Sequence, residues 1–125
     1  MNLVLDTNIV VYLQKGLLAK SMPAGTYFLS AITEIELFSF PGLTANHESA
    51  LRDLLQDVSV VGIDAAVSRE AIRLRRDHRL RVPDAIVAGT AIALNAQLLT
   101  NDQRLLSVPG LNSRAMPLRS PSPKP

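Results

Sequence analysis

Short apolar runs alternate with amphipathic segments along the 125-residue chain. Aliphatic and β-branched runs predict strands at residues 2–5, 26–30, 58–63 and 97–100, with an edge strand at 114–118. Apolar residues at helical spacing predict helices at residues 9–14, from 31 to the Pro41-Gly42 pair, at 44–56, after Asp64, and at 85–94, and Asn101-Asp102 predicts the cap of a short helical turn. The strand runs are too continuously apolar for a sheet with one face in solvent. The pattern therefore predicts a three-layer α/β/α domain with a short parallel sheet of four to five strands.

Composition supports one folded domain. With 47% apolar and 19% charged residues, the chain is too hydrophobic for a disordered protein, and we expect the domain to span residues 1–118. The Pro/Ser-rich stretch 119–125 is predicted to be a disordered tail. The longest uncharged run, 85–94, is far shorter than the roughly 20 residues of a membrane span. Because the N-terminal run also lacks a basic leader, we expect a cytoplasmic protein with no membrane contact.

Positive charge is concentrated in one segment. Residues 69–81 hold six arginines against two acids, although the whole chain has a net charge of only +2. Helical spacing places Arg69, Arg73 and Arg76 on one face, with apolar residues roughly opposite. Two interpretations remain open: this face is simply the solvated side of a stable helix, or it binds a polyanion such as nucleic acid.

Four acids stand out by their positions, namely Asp6, Glu36, Asp84 and Asp102. The three aspartates lie at predicted helix starts, where helix capping alone would explain a carboxylate. Glu36 lies in a strongly apolar helix, so we expect it on the core side with a partner. Asp6 and Asp102 follow the carboxyl ends of predicted strands, where open α/β sheets bind their ligands.

If these four carboxylates converge, a cation must hold them together. Two carboxylates about 5 Å apart repel by about 3 kcal/mol at an effective dielectric near 20. The chain has no cysteine, and its two histidines, His47 and His78, lie outside these segments and are assigned no catalytic role. Oxygen ligands alone imply Mg²⁺ or Mn²⁺, which would activate water and stabilise the leaving oxygen of a phosphodiester.

Four short segments carry a resemblance to a known family. They are Leu3–Ile9, Ser30–Leu37, Pro83–Ala91 and Leu98–Asp102. In their order and spacing the chain resembles PIN-domain ribonucleases, and within that family it is similar to VapC-like toxins of type II toxin–antitoxin systems. The resemblance implies metal ligands at Asp6, Asp84 and Asp102, with Glu36 binding the metal through water or acting as general base. It adds Thr7, Asn8 and Thr100 as supporting residues.

The resemblance implies a Mg²⁺- or Mn²⁺-dependent endoribonuclease, commonly a homodimer. It also implies a cognate antitoxin whose C-terminal segment covers the active site. In this interpretation Arg69, Arg73 and Arg76 lie along the RNA backbone, whereas only five tyrosines and phenylalanines are present for base stacking. One departure is Arg104, at a position where relatives often carry a further acid, which weakens the case for a tightly held second metal.

Other classes of protein fit less well or remain open. Phosphate-accepting signalling domains and haloacid-type phosphatases need a second acid close to the first, but Thr7 and Asn8 follow Asp6. The open alternative is a catalytically silent module that binds RNA or protein. Such a module would bind RNA without metal-dependent cleavage.

Overall fold

The computed structural model describes residues 1–120. The strands are β1 (Asn2–Leu5), β2 (Thr26–Ser30), β3 (Ser59–Val61), β4 (Gln97–Leu99) and β5 (Ser113–Arg114). The helices are α1 (Thr7–Gln14), α2 (Ala31–Phe38), α3 (Ala45–Leu54), α4 (Ala65–His78), α5 (Val82–Ala93) and α6 (Gln103–Leu106). Strands and helices alternate as the hydrophobic pattern predicts, apart from two places where helices follow one another.

The five strands form one parallel sheet in the order β3-β2-β1-β4-β5, which confirms the predicted fold class. β1 lies at the centre, where Val4 pairs with Phe28 of β2 and Leu98 of β4. All carboxyl ends therefore meet at one edge of the sheet. The chain segments that leave β1 and β4 are joined there, because the Asp6 amide donates to the Leu99 carbonyl over 3.0 Å.

Apolar side chains cover both faces of the sheet. Successive residues of β1 point to opposite faces, so Val4 packs with α4 and α5, while Leu3 and Leu5 pack with α1 to α3. The contact between α4 and α5 requires a glycine. A Cβ on Gly89 would lie 3.0 Å from the Ala71 nitrogen, so a side chain at this position would force the two helices apart.

Several boundaries differ from the sequence-based expectation. α1 begins two residues early because Asp6 is its N-cap, and α2 ends at Phe38, before the Pro41-Gly42 pair. β3 is shorter than predicted. The predicted edge strand at 114–118 is replaced by Ser113–Arg114, because the Asn101 side chain takes over the next backbone groups. It donates to the Met116 carbonyl and accepts from the Met116 amide, over 2.9 and 2.7 Å.

The C-terminal end of the described chain is attached to the domain. The backbone amide of Arg119 donates to the Leu17 carbonyl over 2.8 Å, and Leu118 forms an antiparallel bridge with Leu18. Most of the predicted tail, from residue 121 onward, lies outside the described residues. Within residues 1–120, none of the helices combines the length and the apolar character that crossing a membrane requires.

Candidate active site

Asp6 occupies the centre of the carboxyl edge of the sheet. It is the N-cap of α1 and only 9% exposed. Its Oδ1 accepts from the Thr7 amide over 2.9 Å, and its Oδ2 accepts from the Thr100 hydroxyl over 2.7 Å. Both carboxylate oxygens are therefore oriented by the protein itself. The capping interpretation holds for Asp6, but it accounts for only one of its two hydrogen-bonded oxygens.

Thr100 links Asp6 to the next acid. This fully buried residue follows β4, and its hydroxyl oxygen accepts from the Asp102 amide over 3.0 Å while its hydrogen goes to Asp6. Asp102 is half-buried and caps α6, because its Oδ1 accepts from the Arg104 amide over 2.9 Å. A single hydroxyl thus fixes the backbone of Asp102 relative to the Asp6 carboxylate.

Asp84 is not a helix cap, contrary to the sequence-based expectation. α5 begins at Val82, with Pro83 in its first turn, so Asp84 is the third helical residue and the N-cap is Arg81. The half-buried Asp84 carboxylate is contacted instead by the Arg81 side chain, whose Nε lies 3.4 Å from Oδ2. The Arg81–Asp84 ion pair was missed from the sequence. Its signal was the i, i+3 spacing of the two residues.

Burial, hydrogen bonds and neighbouring charges all act on the pKa of Asp6. Burial raises the pKa of Asp6, its hydrogen bonds from Thr100 and Thr7 lower it, and the charges of Asp84 and Asp102 raise it again. The net result is a raised pKa. The hydrogen bonds that the protein supplies therefore do not fully offset the cost of a negative charge on Asp6.

Glu36 reaches the site from α2, but not from the core side of that helix. The expectation of a core-facing glutamate is wrong: Thr33 and Leu37 are the buried residues of α2, and Glu36 is exposed. The expected partner exists, because the Thr7 hydroxyl donates to Glu36 Oε1 over 2.7 Å. Thr7 thus bridges two acids, since its amide donates to Asp6 and its hydroxyl to Glu36.

The chemistry of this donor set fits a hydrated hard cation. Within residues 1–120, no three acidic or histidine side chains are close enough to hold a metal ion by themselves. Mg²⁺, however, usually keeps several waters and takes only one or two carboxylates from the protein. The donors here are carboxylate oxygens around a buried, under-compensated charge, and Arg81 is the one cation ion-paired to them within residues 1–120.

The remaining predicted residues lie outside this cluster. Asn8 is exposed in the first turn of α1 and makes no side-chain hydrogen bond within residues 1–120. Arg69, Arg73 and Arg76 are exposed along α4, opposite its buried face, as predicted. Arg73 is ion-paired, because its Nη2 lies 2.9 Å from Glu70 Oε2.

A cavity of about 440 Å³ opens beside Glu36 and Thr7, between α1, α2 and α3. Its lining includes Phe40 and His47, to which the sequence assigned no role. No sequence signal could have identified this cavity, because it forms only when three helices separated by loops pack together.

A parallel sheet in the order 3-2-1-4-5, with acids at the carboxyl ends of its central strands, defines an α/β protein with a negatively charged site at a sheet edge. The family model named PIN domain matches residues 3–111. The chain therefore belongs to the PIN domain family.

Solved structures give the same fold. VapBC2 from Rickettsia felis, bound to a DNA fragment from its promoter, aligns with a TM-score of 0.79 at 23% identity, covering 94% of this chain and 100% of that chain. VapBC-1 from nontypeable Haemophilus influenzae aligns with a TM-score of 0.70 at 24% identity, covering 92% and 98%. VapBC-5 from Mycobacterium tuberculosis, a member of the VapBC family of toxin–antitoxin systems, aligns at 0.71 and 17% identity, covering 92% and 97%. At these identities the likeness establishes the fold alone. No curated protein matches the chain.

Proposed function

We propose that the protein is a Mg²⁺- or Mn²⁺-dependent endoribonuclease that acts as the toxin of a VapBC-type pair in the cytoplasm. The observation that carries this proposal is the buried Asp6 carboxylate. Its pKa is raised by burial and by the charges of the neighbouring acids Asp84 and Asp102. Such a charge is costly to keep at the edge of a sheet unless a cation binds there. Membership of the PIN family and the likeness to VapBC structures support the same conclusion.

In this mechanism Asp6, Asp84 and Asp102 would hold the ion, directly or through its bound water molecules. When bound, the ion supplies Lewis-acid stabilisation of the phosphodiester oxygens and a lowered pKa for the attacking water. Thr100 keeps Asp6 Oδ2 oriented, and Arg81 restrains Asp84.

Glu36 acts on the attacking water. Thr7 holds Glu36 Oε1, which leaves Oε2 to accept a proton from that water. The exposed position of Glu36 suits this role, because water can reach its carboxylate directly from solvent.

The proposed partners are RNA, a cognate antitoxin and a second copy of the chain. The antitoxin proposal draws on the VapBC complexes that share this fold. For RNA, the exposed arginines Arg69, Arg73 and Arg76 of α4 supply phosphate contacts.

The test is cleavage of total cellular RNA by the purified protein with Mg²⁺, with Mn²⁺ and with EDTA. Asp6→Asn is assayed in parallel, and Asp57→Asn, at an exposed acid after α3, is the matched control. The proposal expects discrete fragments that require metal and Asp6 but not Asp57. Equal cleavage by the Asp6→Asn variant would contradict the site.

The second candidate is the alternative that the sequence leaves open, a catalytically silent RNA- or protein-binding module. A silent module would bind RNA equally well in Mg²⁺ and in EDTA and would leave the RNA intact. The same assay, with filter binding added, separates the two candidates.

A further inference from the structure

The cavity between α1, α2 and α3 is continuous with the carboxylate cluster. Thr7 and Glu36, which are hydrogen bonded to each other, form part of both. Its volume of about 440 Å³ lies within the range of roughly 300–1,000 Å³ that is usual for small-ligand sites. Anything bound in this cavity lies next to the position proposed for the cleaved phosphodiester.

The floor of the cavity is apolar and one wall is aromatic. Val11, Leu37 and Leu43 line the floor, and Phe40 is 66% exposed at the wall. The other four aromatic residues of the chain are all partly buried. Phe40 is therefore the one ring within residues 1–120 whose surface is mostly open to a flat partner.

The rim of the cavity is polar, with one lysine at the end of α1 and the Glu36 carboxylate where the cavity meets the acidic site. Gln14 and Lys15 at the end of α1 and His47 on α3 all line the cavity and are exposed. A side-chain amide and an imidazole can hydrogen bond to the edge of a base, and an ammonium group can pair with a phosphate. An apolar floor, one aromatic face and a polar rim with one lysine match the flat faces, polar edges and phosphate of a nucleotide.

We infer that this cavity is a specificity subsite that binds one unpaired nucleotide of RNA adjacent to the cleaved bond. The base stacks on Phe40, Gln14 and His47 hydrogen bond to its edge, and Lys15 contacts a phosphate. A base inside a duplex cannot enter such a cavity, so the subsite selects single-stranded RNA. This inference rests on the proposed ribonuclease function, which gives RNA as the class of substrate. RNA is favoured over a protein segment because the cavity continues into the carboxylates proposed to cleave RNA and places Lys15, Gln14 and His47 around an exposed aromatic ring.

The test measures binding separately from cleavage. Short fluorescein-labelled homopolymers of adenosine, cytidine, guanosine and uridine are titrated by anisotropy against the Asp6→Asn protein in EDTA, which prevents cleavage. Phe40→Ala is expected to weaken the preferred homopolymer about tenfold and to reduce the differences among the four. Phe40→Tyr retains the ring and the preference. Ile63→Ala, at an exposed apolar residue outside the cavity and before α4, is the control and leaves binding unchanged.

A second measurement maps the ends of the fragments that are produced from total RNA by protein that retains Asp6. Phe40→Ala and Gln14→Ala are expected to relax the base preference at one position beside the cut. If the protein cleaves RNA and neither variant alters preference or affinity, the subsite is refuted while the nuclease stands, and the cavity belongs to a protein segment. If homopolymers bind through Phe40 but nothing is cleaved, the subsite stands and the nuclease fails. Absence of both cleavage and binding overturns both.

Discussion

The inner and outer parts of the acidic site are held in different ways. The inner part, Asp6 and Thr100, is buried and is tied to the chain segments leaving β1 and β4 by the Thr100–Asp6 hydrogen bond of 2.7 Å and the Asp6–Leu99 backbone hydrogen bond. The outer part consists of Glu36 and Asp84, which project from helices into or near solvent. Each outer carboxylate is held by one side-chain partner, Thr7 or Arg81.

The inner and outer carboxylates therefore differ in how firmly the protein positions them. The inner carboxylate is positioned by the sheet and does not depend on a ligand for its orientation. The outer carboxylates are less constrained, because each is held by a single side-chain partner and Glu36 is exposed. Mg²⁺ requires near-ideal octahedral geometry, and movable outer ligands together with waters can complete it around a fixed inner one. Variants of the inner part should therefore have the larger effects.

Asp6→Asn should have the largest effect. The neutral amide removes the fixed anionic ligand, so metal-dependent cleavage should fall by about a thousandfold or more. The fold should survive, because Asn can accept from the Thr7 amide and donate to the Thr100 oxygen. Cleavage rates and circular dichroism of the two proteins in parallel check both statements. Retained cleavage would show that the inner part does not bind the metal.

The same variant should be more stable than the unmodified protein when metal is absent. The pKa of Asp6 in the folded protein is raised above the ordinary value of 3.8, so protonation of this carboxyl stabilises the folded state. This contribution to the free energy of unfolding is fully present below pH 3.8. It is lost as the pH rises through the raised pKa. At pH 7 in EDTA, Asp6→Asn should melt about 2–5 °C higher, and the difference should shrink as the pH falls to about 4. A variant that melts lower at pH 7 would contradict the under-compensated charge.

Thr100→Val should have the next largest effect. The change removes the donor to Asp6 Oδ2 and the acceptor of the Asp102 amide while preserving side-chain shape. We expect a loss of about 1–3 kcal/mol in the free energy of unfolding. Cleavage should fall by about 10–100-fold through a misaligned Asp6. Thr100→Ser keeps the hydroxyl and is the control; if Ser and Val behave alike in urea melts and in cleavage, the hydroxyl has no such role.

Thr7→Val tests the outer part and should have a smaller effect. It removes the hydroxyl that holds Glu36 but keeps the backbone amide that contacts Asp6. Cleavage should fall about tenfold. The melting temperature should barely change, because the Thr7–Glu36 hydrogen bond is exposed. Thr7→Ser should restore most of the activity. A melting temperature that drops as far as in Thr100→Val would remove the distinction between the two parts.

The inner part was predictable from sequence because it depends on local rules. The strands are short apolar runs, and a parallel sheet brings the residues that follow β1 and β4 to one edge. Asp6 and the neighbouring Asp102 therefore required only the strand assignment and the parallel order, whereas Thr100 was identified through the family resemblance. The capping role of Asp6 and Asp102 was visible for the same reason, because each precedes a helix directly.

The outer part was not predictable in the same way. α2 carries apolar residues on both sides, and Ile35 is 60% exposed, so hydrophobicity could not tell which face is buried. For α5, a proline in the first turn marks the start of the helix only to within a residue or two. A difference of that size determines whether Asp84 is the N-cap or, as observed, a residue of the first turn. The cavity beside Phe40 depends on tertiary packing of three helices, for which no local rule exists.

The arginine face of α4 should contribute least, because it is exposed and, within residues 1–120, none of its arginines is ion-paired with a carboxylate of the site. Changing Arg73 and Arg76 together to Ala should weaken RNA binding about threefold to tenfold for all sequences and reduce its salt dependence. Arg76 should account for most of this, because Arg73 is already paired with Glu70. Glu70→Gln frees Arg73 and should strengthen binding slightly, which a general change in helix stability would not do. A salt slope unchanged in the double variant would identify this face as the solvated side of α4, and RNA contacts would then have to come from residues nearer the carboxylates.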